Sequence, residues 1–114
     1  MENTKGSQID PSKPLTADPY YTLAAVLHHA LMQASTGKGA ERHGNGKRFE
    51  SQPMLEISRM LRTPAGCLYQ VMKKSQEAQG MLDNGNPEAA QREILGAINY
   101  LAGAYMIIDE VAEK

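Results

Sequence analysis

Tryptophan is missing from this chain, and phenylalanine and cysteine occur once each. The single thiol, Cys67, excludes an intrachain disulfide, and no CxxC pair or Cys/His cluster offers a zinc-finger ligand set. Aromatic residues make up 5% of the chain, too few flat rings for a surface that stacks the bases of single-stranded nucleic acid. No apolar run approaches the ~20 residues of a membrane span, and the N-terminus is polar rather than signal-like. These gaps lead us to expect a soluble cytoplasmic protein without a membrane partner.

Charge is also nearly balanced, at −1 overall, but it is unevenly placed. Residues 38–74 hold eight Lys/Arg against Glu41, Glu50 and Glu56, a local excess of +5. The rest of the chain holds four bases against ten acids, an excess of −6. A basic middle inside an acidic frame fits a local anion site. It does not fit the broad basic face that duplex DNA needs, because the flanks repel phosphates.

What the chain does contain is Leu, Ile, Met and Ala, which favour helices over strands. At 114 residues it forms one domain. Residues 1–16 read as a flexible arm, and residues 17–114 as a single helical domain. Asp18 and Pro19 open a first helix to about Ser35, with Leu23, Val26, Leu27, Ala30, Leu31 and Ala34 on one stripe. Pro53 opens a short second helix to about Arg62. Thr63-Pro64 starts a third that runs to about Leu82. After the turn Asp83-Asn84-Gly85-Asn86, Asn86 and Pro87 start the longest helix, ending near Glu113. In this last helix Ile94, Ile98, Leu101, Tyr105, Ile108 and Ala112 follow a 4-3-4-3-4 spacing, a heptad-like seam. The expected fold is all-α: four helices around an antiparallel hairpin of the third and fourth. The apolar stripe of the fourth is wider than a three-helix core needs, so we expect self-association.

The stretch 37–53 carries four of the ten glycines and four of the twelve basic residues. Glycines at that density uncover backbone N–H groups and allow a loop to close around an anion. Lys38, Arg42, Lys47 and Arg48 supply positive charge, and each arginine can grip a phosphate with two hydrogen bonds. His43 lies within the same run and can donate to a phosphate. Gln52 at its end, Lys73 and Lys74 on the third helix, and Asn99 on the apolar face of the fourth complete the candidate ligand-binding set. A solvated connection between helices would use Gly, Asn and Lys equally well. Asn99 fits a register-fixing role more readily than a ligand contact. His28 and His29 are adjacent, so they point about 100° apart on a helix and share no ligand face. The pattern assigns no catalytic residue, no metal ligand and no cofactor.

Residues 65–108, with Lys73-Lys74-Ser75-Gln76-Glu77-Ala78 and Arg92-Glu93-Ile94-Leu95-Gly96, resemble in hydropathy and spacing the helical hairpin of the MazG-like nucleotide pyrophosphohydrolases. That resemblance implies an all-α, Mg²⁺-dependent enzyme with Glu77 and Glu93 as metal ligands, supported by Glu50 or Glu56. The sequence departs from the family in having no second acid three residues from Glu77, and Gly96 where an Asp follows Glu93. It is also similar to small helical phage proteins that degrade or sequester nucleotide signals of the host. The expected function is therefore binding, without hydrolysis, of a nucleotide or cyclic nucleotide signal through the basic Gly-rich loop, in the host cytoplasm if the protein is phage-encoded. The alternatives are a divergent pyrophosphohydrolase and a helical interaction module with no small ligand.

Overall fold

The computed structural model describes residues 17–36 and 48–112. They form four α-helices and one short 3-10 turn, with no strand among the described residues. In chain order these are α1 (Tyr21–Thr36), the turn Phe49–Ser51, α2 (Pro53–Leu61), α3 (Ala65–Asp83) and α4 (Pro87–Ala112). The expectation of an all-α chain holds.

Local chemistry explains most boundaries. Asp18 and Pro19 are the expected cap and first residue of the first helix, but α1 starts at Tyr21, after a turn in which the Tyr20 N–H donates to Asp18 Oδ1 at 2.7 Å. Pro53 occupies the first turn of α2, where its missing N–H leaves nothing unsatisfied. α2 ends at Arg62, which adopts a left-handed conformation (φ 57°) so that the Arg62 and Thr63 N–H groups reach the carbonyls of Arg59 and Ser58. Asn86 starts α4 as a cap, its Oδ1 accepting from the Ala89 N–H at 3.2 Å.

α4 is the element against which the other three pack. On α3, Cys67 lies against Gly103 and Lys74 against Gly96, so the contacts run in opposite order along the two helices. On α1, Asn99 Nδ2 donates to the Ala30 carbonyl at 3.0 Å and Gln33 Nε2 donates to the Arg92 carbonyl at 3.3 Å. α2 sits over the far end, with Leu55 against Gly103 and Arg59 on Glu110.

The side chains that fill these contacts are small. The buried apolar residues are Ala30, Leu55, Cys67, Ala78, Ala90, Ala97, Ala104 and Ile107, and only Leu55 and Ile107 among them are large. Alanine and glycine bring the helix backbones close but remove little apolar surface from water, whereas a fully buried Leu or Ile contributes about 1.5–3 kcal/mol. The large side chains lie outside. Leu23, Leu27 and Leu31 on α1, expected on the packing stripe with Ala30, are exposed. The heptad seam of α4 is also exposed at Ile94, Leu101, Tyr105 and Ile108.

α4 has the length and mean hydropathy (1.3) of a membrane-crossing helix. Its charges argue otherwise. Arg92-Glu93 and Asp109-Glu110 bound an uncharged segment, residues 94–108, that spans roughly 22 Å at 1.5 Å per residue. That falls short of the ~30 Å hydrocarbon core.

Candidate functional site

Four of the nine candidate ligand residues, Lys38, Arg42, His43 and Lys47, lie outside the described residues, as do residues 1–16. The remaining five belong to the segment before α2, to α3 and to α4. Arg48 stands in extended backbone just before the 3-10 turn and pairs with Glu50, its Nε and Nη2 both 2.8 Å from Oε2. Gln52 joins that turn to α2 and is buried; its carbonyl accepts from the Leu55 and Glu56 N–H groups. Its place is fixed by Pro53, which starts the helix one residue later.

Lys73 and Lys74 follow one another on α3, so they diverge by about 100°. Lys73 is exposed and has no ion pair among the described residues. Lys74 turns inward: its Nζ lies 3.3 Å from Glu93 Oε1 and 5.8 Å from the centre of the Tyr100 ring. Charge and ring together hold it at the seam between α3 and α4, with its side-chain carbons against the open backbone of Gly96. Asn99 is engaged with Ala30 across the α1–α4 contact. The structure therefore brings Lys74 to Glu93 and Asn99 to α1.

The four carboxylates of the hydrolase reading fare similarly. Glu93 faces Lys74, Glu56 faces Arg59 at 3.4 Å and Glu50 faces Arg48. Glu77 is exposed. Among the described residues no group of three or more His, Cys, Asp and Glu side chains converges as a metal site would require. His28 and His29 are both exposed on α1.

Comparisons with protein families, curated proteins and solved structures find no match. They give no support to the MazG-like resemblance expected from residues 65–108.

One contact was not visible in the sequence. Arg59 Nε donates to Glu110 Oε1 at 2.7 Å and Nη2 donates to Oε2 at 3.0 Å, a two-pronged pair that ties α2 to the end of α4. The Glu110 hydrogen bond, and then its charge, raise the Arg59 pKa above its ordinary value, against the opposing effect of burial. Fifty-one residues separate the partners, so no local pattern announces the pair. Glu50 shows the opposite shift: its pKa falls below the ordinary 4.5, first through a hydrogen bond to its own backbone and then through Arg48. Beneath α2, Ser58 and Cys67 are buried together, 3.6 Å apart, with the Ser58 hydroxyl donating to the Met54 carbonyl at 3.2 Å. Cys67 is thereby a packing residue, shielded from solvent.

Proposed function

We propose that the protein is a self-associating, non-catalytic binding protein, built on α3 and α4 as an antiparallel hairpin, that holds a phosphorylated small molecule of nucleotide type through the basic stretch 37–53. One observation carries the assembly: most of the large apolar side chains among the described residues are exposed, and apart from Leu55 and Ile107 the buried apolar residues are alanines and a cysteine. A domain of this size gains little stability from so small a core, and association supplies the missing burial. The ligand reading is supported by the charge excess of +5 over residues 38–74 and by Lys73, which is exposed and has no ion pair among the described residues. Binding without hydrolysis is favoured over the pyrophosphohydrolase because Glu93, its principal candidate ligand, is already neutralised by Lys74. In this reading the protein acts in the cytoplasm, and a phage-encoded version would sequester a host nucleotide signal.

The test is a thermal-shift titration of the full chain with mononucleotides and cyclic and linear oligonucleotides, with and without Mg²⁺. Binding at a hundredfold excess over Kd stabilises the native state by ~2.7 kcal/mol. The expected result is a metal-independent rise in Tm that Arg42→Ala and Lys47→Ala abolish. A rise that requires Mg²⁺, with release of pyrophosphate, would instead establish the hydrolase. No rise with any nucleotide would leave an interaction module without a small ligand.

A further inference from the structure

We infer that the exposed heptad seam of α4 is the surface through which a second copy of this chain binds; the inference rests on the self-association just proposed and names where it occurs. Ile94, Ile98, Leu101, Tyr105, Ile108 and Ala112 repeat at alternating four- and three-residue steps, the 3.5-residue period at which one helix packs knobs into the holes of another. Among the described residues most of that seam is left uncovered, with Ile98 half-buried. Leu101 is 48% exposed, Ile108 52% and Tyr105 74%, while Ala97, Ala104 and Ile107, on the neighbouring side of the same helix, are buried. α4 thus has two apolar faces, one of small residues and Ile107 used within the chain and one of larger residues left exposed among the described residues. α3, packed along α4, adds the exposed Leu68 and Leu82, fourteen residues apart and so on one side of their helix.

The composition of the flanks selects a second copy over a foreign helix. Coiled-coil pairs choose a different partner through charged residues beside the seam. Here the open-side flanking positions within residues 94–108 are Leu95 and Ala102, and no charged residue occurs between Glu93 and Asp109. Over that segment two identical seams therefore meet without like-charge repulsion. The fold itself also needs the burial, and the partner present whenever the chain folds is another copy of it. A membrane is the wrong occupant for a spanning role, given the bounded length of the uncharged segment.

The experiment measures the mass of the full chain in solution by light scattering and sedimentation, for the wild type and for Leu101→Glu, Ile108→Glu and Met60→Glu. Met60, on α2, is 81% exposed and serves as the control for an apolar residue outside the seam. The wild type should have at least twice the chain mass. Leu101→Glu and Ile108→Glu should reduce it to one chain, and Met60→Glu should not. Because a seam variant can lose its fold along with its partner, a second readout uses wild-type packing: Cys67 is the sole cysteine and is buried, so Leu101→Cys should form a disulfide-linked dimer under mild oxidation while Met60→Cys should not. An assembled wild type that stays assembled in both Glu variants and gives no Leu101→Cys crosslink would overturn the surface but leave self-association standing. A wild type of one chain at every concentration would overturn both. Flotation of a monomeric wild type with phosphatidylcholine vesicles, lost on Leu101→Glu, would overturn the inference by giving the seam to a lipid surface.

Discussion

Gly80, Gly96 and Gly103 lie within helices, and their surroundings separate two effects that a glycine-to-alanine change normally mixes. A helical glycine costs about 0.5–1 kcal/mol relative to alanine, so the change alone stabilises. At Gly80 an added Cβ would meet nothing within 4 Å, and Gly80→Ala should deliver that gain undiminished. At Gly103 the added Cβ would lie 3.3 Å from Leu55 Cδ1 and 3.4 Å from Cys67 Sγ. Both neighbours are almost wholly buried, held between α2, α3 and α4, and have no solvent to move into. Overpacking a filled core typically costs about 1–3 kcal/mol, which outweighs the helix gain. Gly103→Ala should therefore be neutral to destabilising by about 2 kcal/mol, and its gap from Gly80→Ala should be about 1–3 kcal/mol. Gly96 is intermediate. Its Cβ would come within 3.1 Å of the Lys74 side chain, whose carbons can swing aside, though at the expense of the Glu93 pair. The assay is urea or thermal unfolding of the full chain at one fixed protein concentration, since association would otherwise move the midpoint. In a domain of this size each 1 kcal/mol shifts Tm by roughly 4–8 °C, so the gap is easily resolved. If Gly103→Ala stabilised the protein as much as Gly80→Ala, the close approach of α2 and α3 to α4 at this residue would be wrong, and with it the account of why the core is built from small side chains.

Three further outcomes follow from individual contacts. Arg62 is in the left-handed region, where a side chain costs roughly 1–2 kcal/mol, so Arg62→Gly should raise stability by up to ~1 kcal/mol in the same unfolding assay; a loss would mean that the guanidinium contributes more than the backbone strain removes. Asn99→Ala removes the hydrogen bond to Ala30 and should cost ~1 kcal/mol. It should speed amide exchange in α1 more than in α2, and equal acceleration in both would show that Asn99 does not hold α1. The lowered pKa of Glu50 means that its ionised form is favoured by the folded state. Its stabilising contribution is complete above the ordinary value of 4.5 and is lost as pH falls through the lower folded value. Glu50→Gln should accordingly lower Tm at neutral pH and converge on the wild type in acid; a constant difference across that range would contradict the shift.

Where proline and asparagine carry the signal, the sequence was a sound guide to the helices. Pro53, Thr63-Pro64 and Asn86-Pro87 each mark a boundary within a residue or two of the observed one, because a missing N–H and a side-chain acceptor act locally. Periodicity identified apolar faces on α1 and α4 but could not say what each face meets. The leucines of α1 and the seam residues Ile94, Leu101 and Ile108 of α4 obey helical spacing as a core would, yet Ala30, Ala97, Ala104 and Ile107 are the ones buried within the chain. Hydropathy ranks leucine above alanine for burial, whereas close helix approach selects the smaller residue. The candidate ligand residues divide along the same line. Arg48 and Glu50 are two residues apart, so their pairing is local chemistry; Lys74–Glu93 and Asn99–Ala30 depend on how α4 meets α3 and α1. A polar residue inside an apolar stripe signals a partner without saying whether that partner is the chain itself or a ligand. Size provides the discriminating clue. A helix with small residues on one face and larger heptad-spaced residues on another can meet two different neighbours, and among the described residues only the first face of α4 is covered. Filling the second position changes what the molecule presents to its surroundings. The basic stretch 37–53 would then occur once per copy in a symmetric assembly, and a phosphorylated ligand could be gripped by more than one of them. Loss of the α4 contact should therefore weaken ligand binding even though the substituted residues, Leu101 and Ile108, lie outside that stretch. If a seam variant of one chain mass retained wild-type affinity, each copy would bind alone and assembly would serve stability only.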